Sequence, residues 1–223
     1  MKTILVIAAH PDDELLGSAG TLIKHVAAGD KVFALILGEG LMARDNANPD
    51  NLHDLQAMAR AAGAIVGCSG ITFASFADNA FDTVKFLDIV KTIEHELATI
   101  KPNVVYTHHE YDLNVDHRLT CEAVLTACRP VADFCPETIY SFETLSSTEW
   151  QSKDHKQFKP NVYVNIEDVL EKKVLALREY TSEMRSYPHS RSEEGLRILA
   201  QYRGLESNLR AAEALYLVRQ IIS

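Results

Sequence analysis

The chain has 223 residues, with 31 acidic against 22 basic side chains and a net charge of -9. That length suits one domain with a substantial core. The acidic balance argues against a generic binder of nucleic acid or of an anionic membrane. No apolar run approaches the roughly 20 residues of a membrane span. The run at the N-terminus is too short for a signal peptide and leads into acids instead of a cleavage site, so a cytoplasmic location is expected.

Ile4–Ala9 is apolar without alternation, the pattern of a strand buried on both faces. His10-Pro11-Asp12-Asp13-Glu14 follows at once. Polar groups at the carboxyl end of a buried parallel strand sit where open α/β sheets place their ligands. A histidine and an aspartate can hold a divalent metal, and a second carboxylate can act as a base on water. Alternatively, Asp12 or Asp13 caps the helix that begins near Glu14. Capping accounts for one aspartate but not for the histidine and the second acid.

Helical spacing runs from Glu14 to Ala28 and is closed by Gly29. Lys31–Leu37 reads as a strand, Leu52–Val66 as a helix, and Ile71–Ala74 as a short strand. A helix is expected over Thr83–Ile100, stopped before Pro102. Val104–His108, Asp116–Cys128 and Thr138–Phe142 then read as strand, helix and strand. This alternation signals βαβ units and a mainly parallel sheet with its strand ends on one edge. In the last third, Val162–Ile166 reads as a strand, and Val169–Thr181 and Ser192–Tyr202 as helices. Ala211–Ile221 fits a strand or a helix. The expected fold is an α/β, Rossmann-like three-layer sandwich with a C-terminal α/β extension. It forms one domain over 1–223, with a core over 1–145 and the extension over 146–223.

Cys68, Cys121, Cys128 and Cys135 form no C-x-x-C pair and read as small buried residues in a reducing compartment. Gly17 and Gly20 fall inside a helical pattern and do not make G-x-G-x-x-G, so dinucleotide binding has no support.

A second polar cluster, His109 to His117, follows the strand Val104–His108. Two clusters at the ends of two parallel strands can converge on one crevice. His117 would then join His10 and one of the paired aspartates around a metal. Two histidines and a carboxylate with one open position make a catalytic zinc site. Taken alone, His117 reads as a capping or surface histidine.

His10-Pro11-Asp12-Asp13-Glu14 resembles the H-P-D-D-E motif of the PIG-L/LmbE family of zinc-dependent N-deacetylases. Asn114-Val115-Asp116-His117 is similar to the end of that family's H-x-D-H motif. The resemblance implies one Zn2+ per chain, or another divalent ion, on His10, Asp13 and His117, with Asp12 as general base. Asn114 stands where many relatives carry a histidine, and an amide can donate a hydrogen bond but not supply a proton. Asp116 is retained beside it, so Asn114 and Asp116 stay in the catalytic set. We take His189, in the polar loop Tyr187–Ser192, as the candidate replacement acid. Arg44 and Asp78 resemble family contacts to sugar hydroxyls or phosphate. Arg191 would receive a phosphate. Glu143 and residues 146–150 are expected at the pocket lip, with Trp150 in the core rather than stacked on a sugar.

The function so implied is removal of the N-acetyl group from an N-acetylated amino sugar or its conjugate, giving acetate and a free amine. The loop Pro188–Ser192 and Asp112–His117 resemble the branch tied to surface-polysaccharide and sugar biosynthesis. Alternatives are a deacetylase of a thiol-cofactor precursor and a non-catalytic sugar- or nucleotide-binding module. The expected partner is a small sugar substrate, without nucleic acid, and the resemblance implies a homo-oligomer.

Overall fold

Residues 1–40, 51–131 and 134–222 are described in a computed structural model. Among them, seven strands form one sheet. They are β1 (Thr3–Ala8), β2 (Lys31–Gly38), β3 (Gly70–Phe76), β4 (Val104–His108), β5 (Thr138–Phe142), β6 (Val162–Asn165) and β7 (Ala212–Gln220). Their order is β3-β2-β1-β4-β5-β7-β6. The first five are parallel, and β7 runs antiparallel to both of its neighbours.

The apolar run of β1 lies at the centre, with Ile4 to Ala8 all fully buried. Side chains alternate across a strand. Ile4 and Val6 therefore meet α1 (Asp13–Ala27), α2 (Asn51–Val66) and α5 (Leu170–Arg178) on one face. Leu5 and Ile7 meet α3 (Phe86–Ile100) and α4 (Val115–Ala127) on the other. Burial on both faces is why the run shows no alternation. Among the described residues no helix is long and apolar enough to cross a membrane.

The chain moves outward from β1 to β3, then crosses back through α3 to β4 on the other side of β1. Between β1 and β4 the sheet changes winding direction, which opens a crevice at their carboxyl ends.

Several element bounds differ from expectation. α3 begins at Phe86, not Thr83. Residues 81–83 form a separate 3-10 turn, and Val84 is extended at φ -88°, ψ 145°. Phe81 is buried against Phe76, which anchors the turn ahead of the helix. α6 (Glu193–Ser207) runs past Tyr202 until Asn208 takes the left-handed conformation, φ 57°. The ambiguous C-terminal segment is strand β7, because it is sandwiched between β5 and β6.

Gly17 and Gly20 serve packing. A Cβ on Gly17 would lie 2.1 Å from the Phe142 ring, and one on Gly20 2.7 Å from Ile166. The last third is tied to α1 by a buried ion pair. Lys173 Nζ meets Glu213 Oε1 at 2.6 Å and donates to the Leu16 carbonyl at 2.9 Å. Glu213 also accepts the Gly20 and Thr21 N–H groups, so the pair is fully hydrogen-bonded. All four cysteines are free. Burial pushes the Cys68, Cys121 and Cys128 thiols up to about 12, which suits inert packing groups.

Candidate active site

Two polar segments meet at the β1/β4 crevice. His10 follows β1, Asp13 opens α1, and His117 lies in the first turn of α4. Asp13 Oδ2 lies 3.3 Å from His10 Nδ1 and 3.1 Å from His117 Nε2. One ligand atom from each residue falls within 4.8 Å of the others. Asp13 Oδ1 is buried without a hydrogen-bond partner. Two imidazoles, a carboxylate and an orphaned carboxylate oxygen fit a divalent cation such as zinc.

Each histidine is backed by a second acid. His10 Nε2 meets Asp116 Oδ2 at 2.9 Å, and His117 Nδ1 meets Asp112 Oδ1 at 3.1 Å. A carboxylate that takes one ring N–H directs the other nitrogen's lone pair to the centre. Here that leaves His10 Nδ1 and His117 Nε2 toward Asp13. Asp116 is fixed in turn by the Phe81 N–H at 3.0 Å. Asp112 accepts the Asn114 N–H at 3.0 Å and the hydroxyls of Ser147 and Thr148. Asp78 Oδ1 lies 3.2 Å from His10 Nε2, so His10, Asp78 and Asp116 form a second group on the outer side of that ring.

Burial alone would lower both histidines, but the acids overcome it. Asp116 and Asp13 raise His10 to about 10, and Asp13 with Asp112 raises His117 to about 9. Burial also works to raise Asp13, yet His117 and His10 hold it well below the usual carboxylate range. The centre thus concentrates negative charge that favours a cation.

Asp12 is backbone-strained. Its φ is 101°, in the left-handed region that non-glycine residues rarely adopt. Although it occupies the N-cap position of α1, its side chain makes no cap bond. The capping alternative is therefore set aside. Its Oδ2 accepts Arg191 Nη1 at 2.8 Å, and its N–H donates to Glu14 Oε2 at 3.0 Å. Burial, opposed by Arg191 and reinforced by Asp13, Glu183 and Glu14, raises the Asp12 carboxyl well above its ordinary value.

The other expected residues scatter. Asn114 caps α4, accepting the Asp116 N–H at 2.8 Å, and its amide donates to Asn79 at 2.9 Å. His189 Nδ1 accepts the Arg191 N–H at 3.1 Å, and its ring meets the edge of Trp150. Among the described residues no contact joins His189 to His10, Asp13 or His117. Arg191 reaches the site, but on Asp12. Arg44 lies outside the described residues. Trp150 is not core: it is 56% exposed, at the end of a 3-10 turn whose first residue, Thr148, is held by Asp112. Glu143 leaves the lip to pair with Arg203 in the extension, at 2.7 and 2.6 Å.

Sequence reading assigned no role to His108, Asp112 or Tyr180, and it put Ser146 to Thr148 only at the pocket lip. His108 and Asp112 were visible as polar residues at a strand's carboxyl end. Tyr180 carried no local signal.

The family model described as GlcNAc-PI de-N-acetylase, PIG-L, matches residues 5–128. That is more than half of the chain and includes both polar segments of the crevice. The chain belongs to the PIG-L family of deacetylase enzymes. It is 29% identical over 187 residues to the uncharacterized deacetylase YaiS of Escherichia coli K12, covering 81% of this chain and 91% of that protein. It is 28% identical over 240 residues to the diacetylchitobiose deacetylase of Thermococcus kodakarensis, covering 98% and 84%. The inhibitor-bound N,N'-diacetylchitobiose deacetylase of Pyrococcus horikoshii superposes with a TM-score of 0.81 at 19% identity, over 97% of this chain and 84% of the other. GalB, the 4-carboxy-2-hydroxymuconate hydratase of Pseudomonas putida, superposes with a TM-score of 0.77 at 20% identity, over 100% and 98%. At such identities the superpositions show the fold alone, and the hydratase is a fold-mate with a different reaction.

Proposed function

We propose that this chain is a metal-dependent hydrolase that removes the acetyl group from an N-acetylated amino sugar or its conjugate. The observation that carries the reading is one loop, residues 10–13. It brings His10 and Asp13 beside His117, and between them in sequence it carries a separate carboxylate, Asp12, that is held by Arg191. A binding module needs no such base. The diacetylchitobiose deacetylase of Thermococcus kodakarensis supports an N-acetylated sugar as the substrate class. Family membership supports the same class.

In this reading His10, Asp13 and His117 hold one zinc ion. When bound, zinc supplies a Lewis acid that acidifies water and polarises the acetamide carbonyl. Asp12 takes a proton as the water oxygen bonds to the carbonyl carbon. The C–N bond then breaks, and Asp12 returns that proton to the leaving amine. Products are acetate and the free amino sugar. This assignment needs no separate acid, which suits Asn114, whose amide carries no acidic proton. Asn114 and Asp116 act by holding the loop and His10. Asp78 and Arg44 are kept as substrate contacts on the resemblance alone. Relatives that act on thiol-cofactor precursors use the same chemistry, so that alternative differs only in the aglycone.

The test is acetate release by protein stripped of metal and then given zinc, with Asp12→Asn alongside. The panel holds diacetylchitobiose, GlcNAc, UDP-GlcNAc and N-acetylglucosaminyl malate. Zinc-dependent acetate that Asp12→Asn abolishes, at unchanged zinc content, is the expected result. A protein that binds no divalent metal at all would overturn the reading and favour the binding module.

A further inference from the structure

We propose that Arg191 is a positioning residue that aims the Asp12 carboxylate, and that the stretch from Tyr180 to Arg191 is built into the site as a clamp on that residue. The inference rests on the reading of Asp12 as the base. It replaces the expectation that Arg191 receives a substrate phosphate.

Asp12 is gripped at two points. Its main-chain N–H goes to Glu14 Oε2 at 3.0 Å, and Glu14 Oε1 accepts the Tyr180 hydroxyl at 2.5 Å. Its side chain goes to Arg191 Nη1 at 2.8 Å. A residue at φ 101° relaxes unless its surroundings over-determine it. Two grips from one distant segment supply that restraint.

Arg191 is itself fixed. Its Nε donates to Ser146 Oγ at 2.6 Å, and its Nη1 also reaches Glu183 Oε2 at 3.4 Å. Its N–H is held by His189 and its carbonyl by the Arg185 N–H at 3.1 Å. The next residue, Ser192, caps α6 through the Gly195 N–H at 2.9 Å. A Cβ on Gly195 would lie 2.2 Å from the Ser190 carbonyl oxygen, so the loop lies flat on the start of α6. A guanidinium that already gives Nε to a serine and Nη1 to two carboxylates is poorly disposed to fork onto a phosphate. Its partners Ser146, Glu183 and Asp12 instead hold it pointing at one atom, Asp12 Oδ2.

The sequence match to the family ends at residue 128. Ser146, Tyr180, Glu183 and Arg191 all lie beyond it. The candidate base therefore comes from the matched segment, while its aim comes from the last third of the chain.

The experiment uses full-length, zinc-loaded Arg191→Met and Arg191→Lys. Two readouts are taken: the crystal structure of each variant, and kcat against KM on whichever panel sugar the wild type cleaves. The clamp predicts a rotated or displaced Asp12 carboxylate in Arg191→Met. A misplaced group of this kind costs about 100-fold in rate, so kcat should fall by that order while KM stays within about twofold. Arg191→Lys keeps the charge but not the fork and should recover part of kcat. Should Arg191→Met fail to fold, Tyr180→Phe tests the other grip by the same two readouts. Asp12 in its wild-type place, or a loss confined to KM, overturns the proposal. If the wild type releases no acetate from any sugar, the functional reading fails separately, and the position of Asp12 in the variant still decides the clamp.

Discussion

His108 and His117 stack face to face, with ring centroids 4.0 Å apart and planes 20° apart, yet their surroundings push the two imidazoles' pKa in opposite directions. His108 Nε2 accepts the Ala9 N–H at 2.9 Å, so its lone pair is committed to the backbone of β1. Burial and the neighbouring His117 push it down to about 3. His117 gives its Nδ1 to Asp112 and keeps Nε2 for the centre. Of two adjacent histidines, only one can be a ligand.

His108→Phe should therefore keep zinc at one ion per chain, whereas His117→Ala should lose it. The phenyl ring retains the stack but leaves the buried Ala9 N–H unpaired, which costs about 1–3 kcal/mol. Metal analysis and urea unfolding of the two variants check both halves. Loss of zinc in His108→Phe would move the centre.

Asp112→Asn tests the orienting shell. The amide keeps the shape but removes the charge that fixes the His117 N–H. Zinc affinity should fall by about 10–100-fold, as for other outer partners of metal-bound histidines. Titration against a chelating dye measures it. Unchanged affinity would reduce Asp112 to a loop anchor for Asn114, Ser147 and Thr148.

The Glu143–Arg203 pair gives a pH-dependent prediction. Burial raises the Glu143 carboxyl above its ordinary value, and the two-pronged bond from Arg203 pulls it back. Arg203→Met removes that pull, so the folded-state pKa rises further while the unfolded one does not. The folded variant then binds more protons than the unfolded chain above about pH 4.5, and its stability falls as pH rises through that window. At pH 7 the loss should reach about 3–5 kcal/mol, the usual result of orphaning a buried charge, and it should shrink toward pH 4. Denaturant unfolding at the two pH values decides; a loss independent of pH would mean that only packing was removed.

Gly17→Ala should cost about 1–3 kcal/mol despite the better helix propensity of alanine, because the added methyl meets the Phe142 ring. A thermal midpoint equal to or above wild type would show that α1 can lift from β5 without penalty.

Much of this was legible one segment at a time. The apolar run Ile4–Ala9 marks a strand buried on both faces, because it contains no polar residue for water to meet, and Val104–His108 opens on two valines and turns polar only toward its carboxyl end. The loops after them carry the acids and histidines of the crevice. Where a signal was local, the reading came close: β1, β2, β4 and β5 fall within a residue of expectation at each end. Trp150 went the other way, since apolar character alone does not say which side of a turn faces in.

What the sequence determined by itself was the parallel α/β architecture and the chemical types gathered at His10–Glu14 and Asp112–His117, both set by composition and by spacing along the chain. What only the tertiary structure decided was which partner each group takes. His108 is committed to Ala9, Asp116 to His10, and Arg191 to Asp12 at a sequence separation of 179. Such pairings depend on where separate elements come to rest. A hydrogen bond needs approach within about 3 Å, and nothing in local order encodes a distance between strands so far apart in the chain.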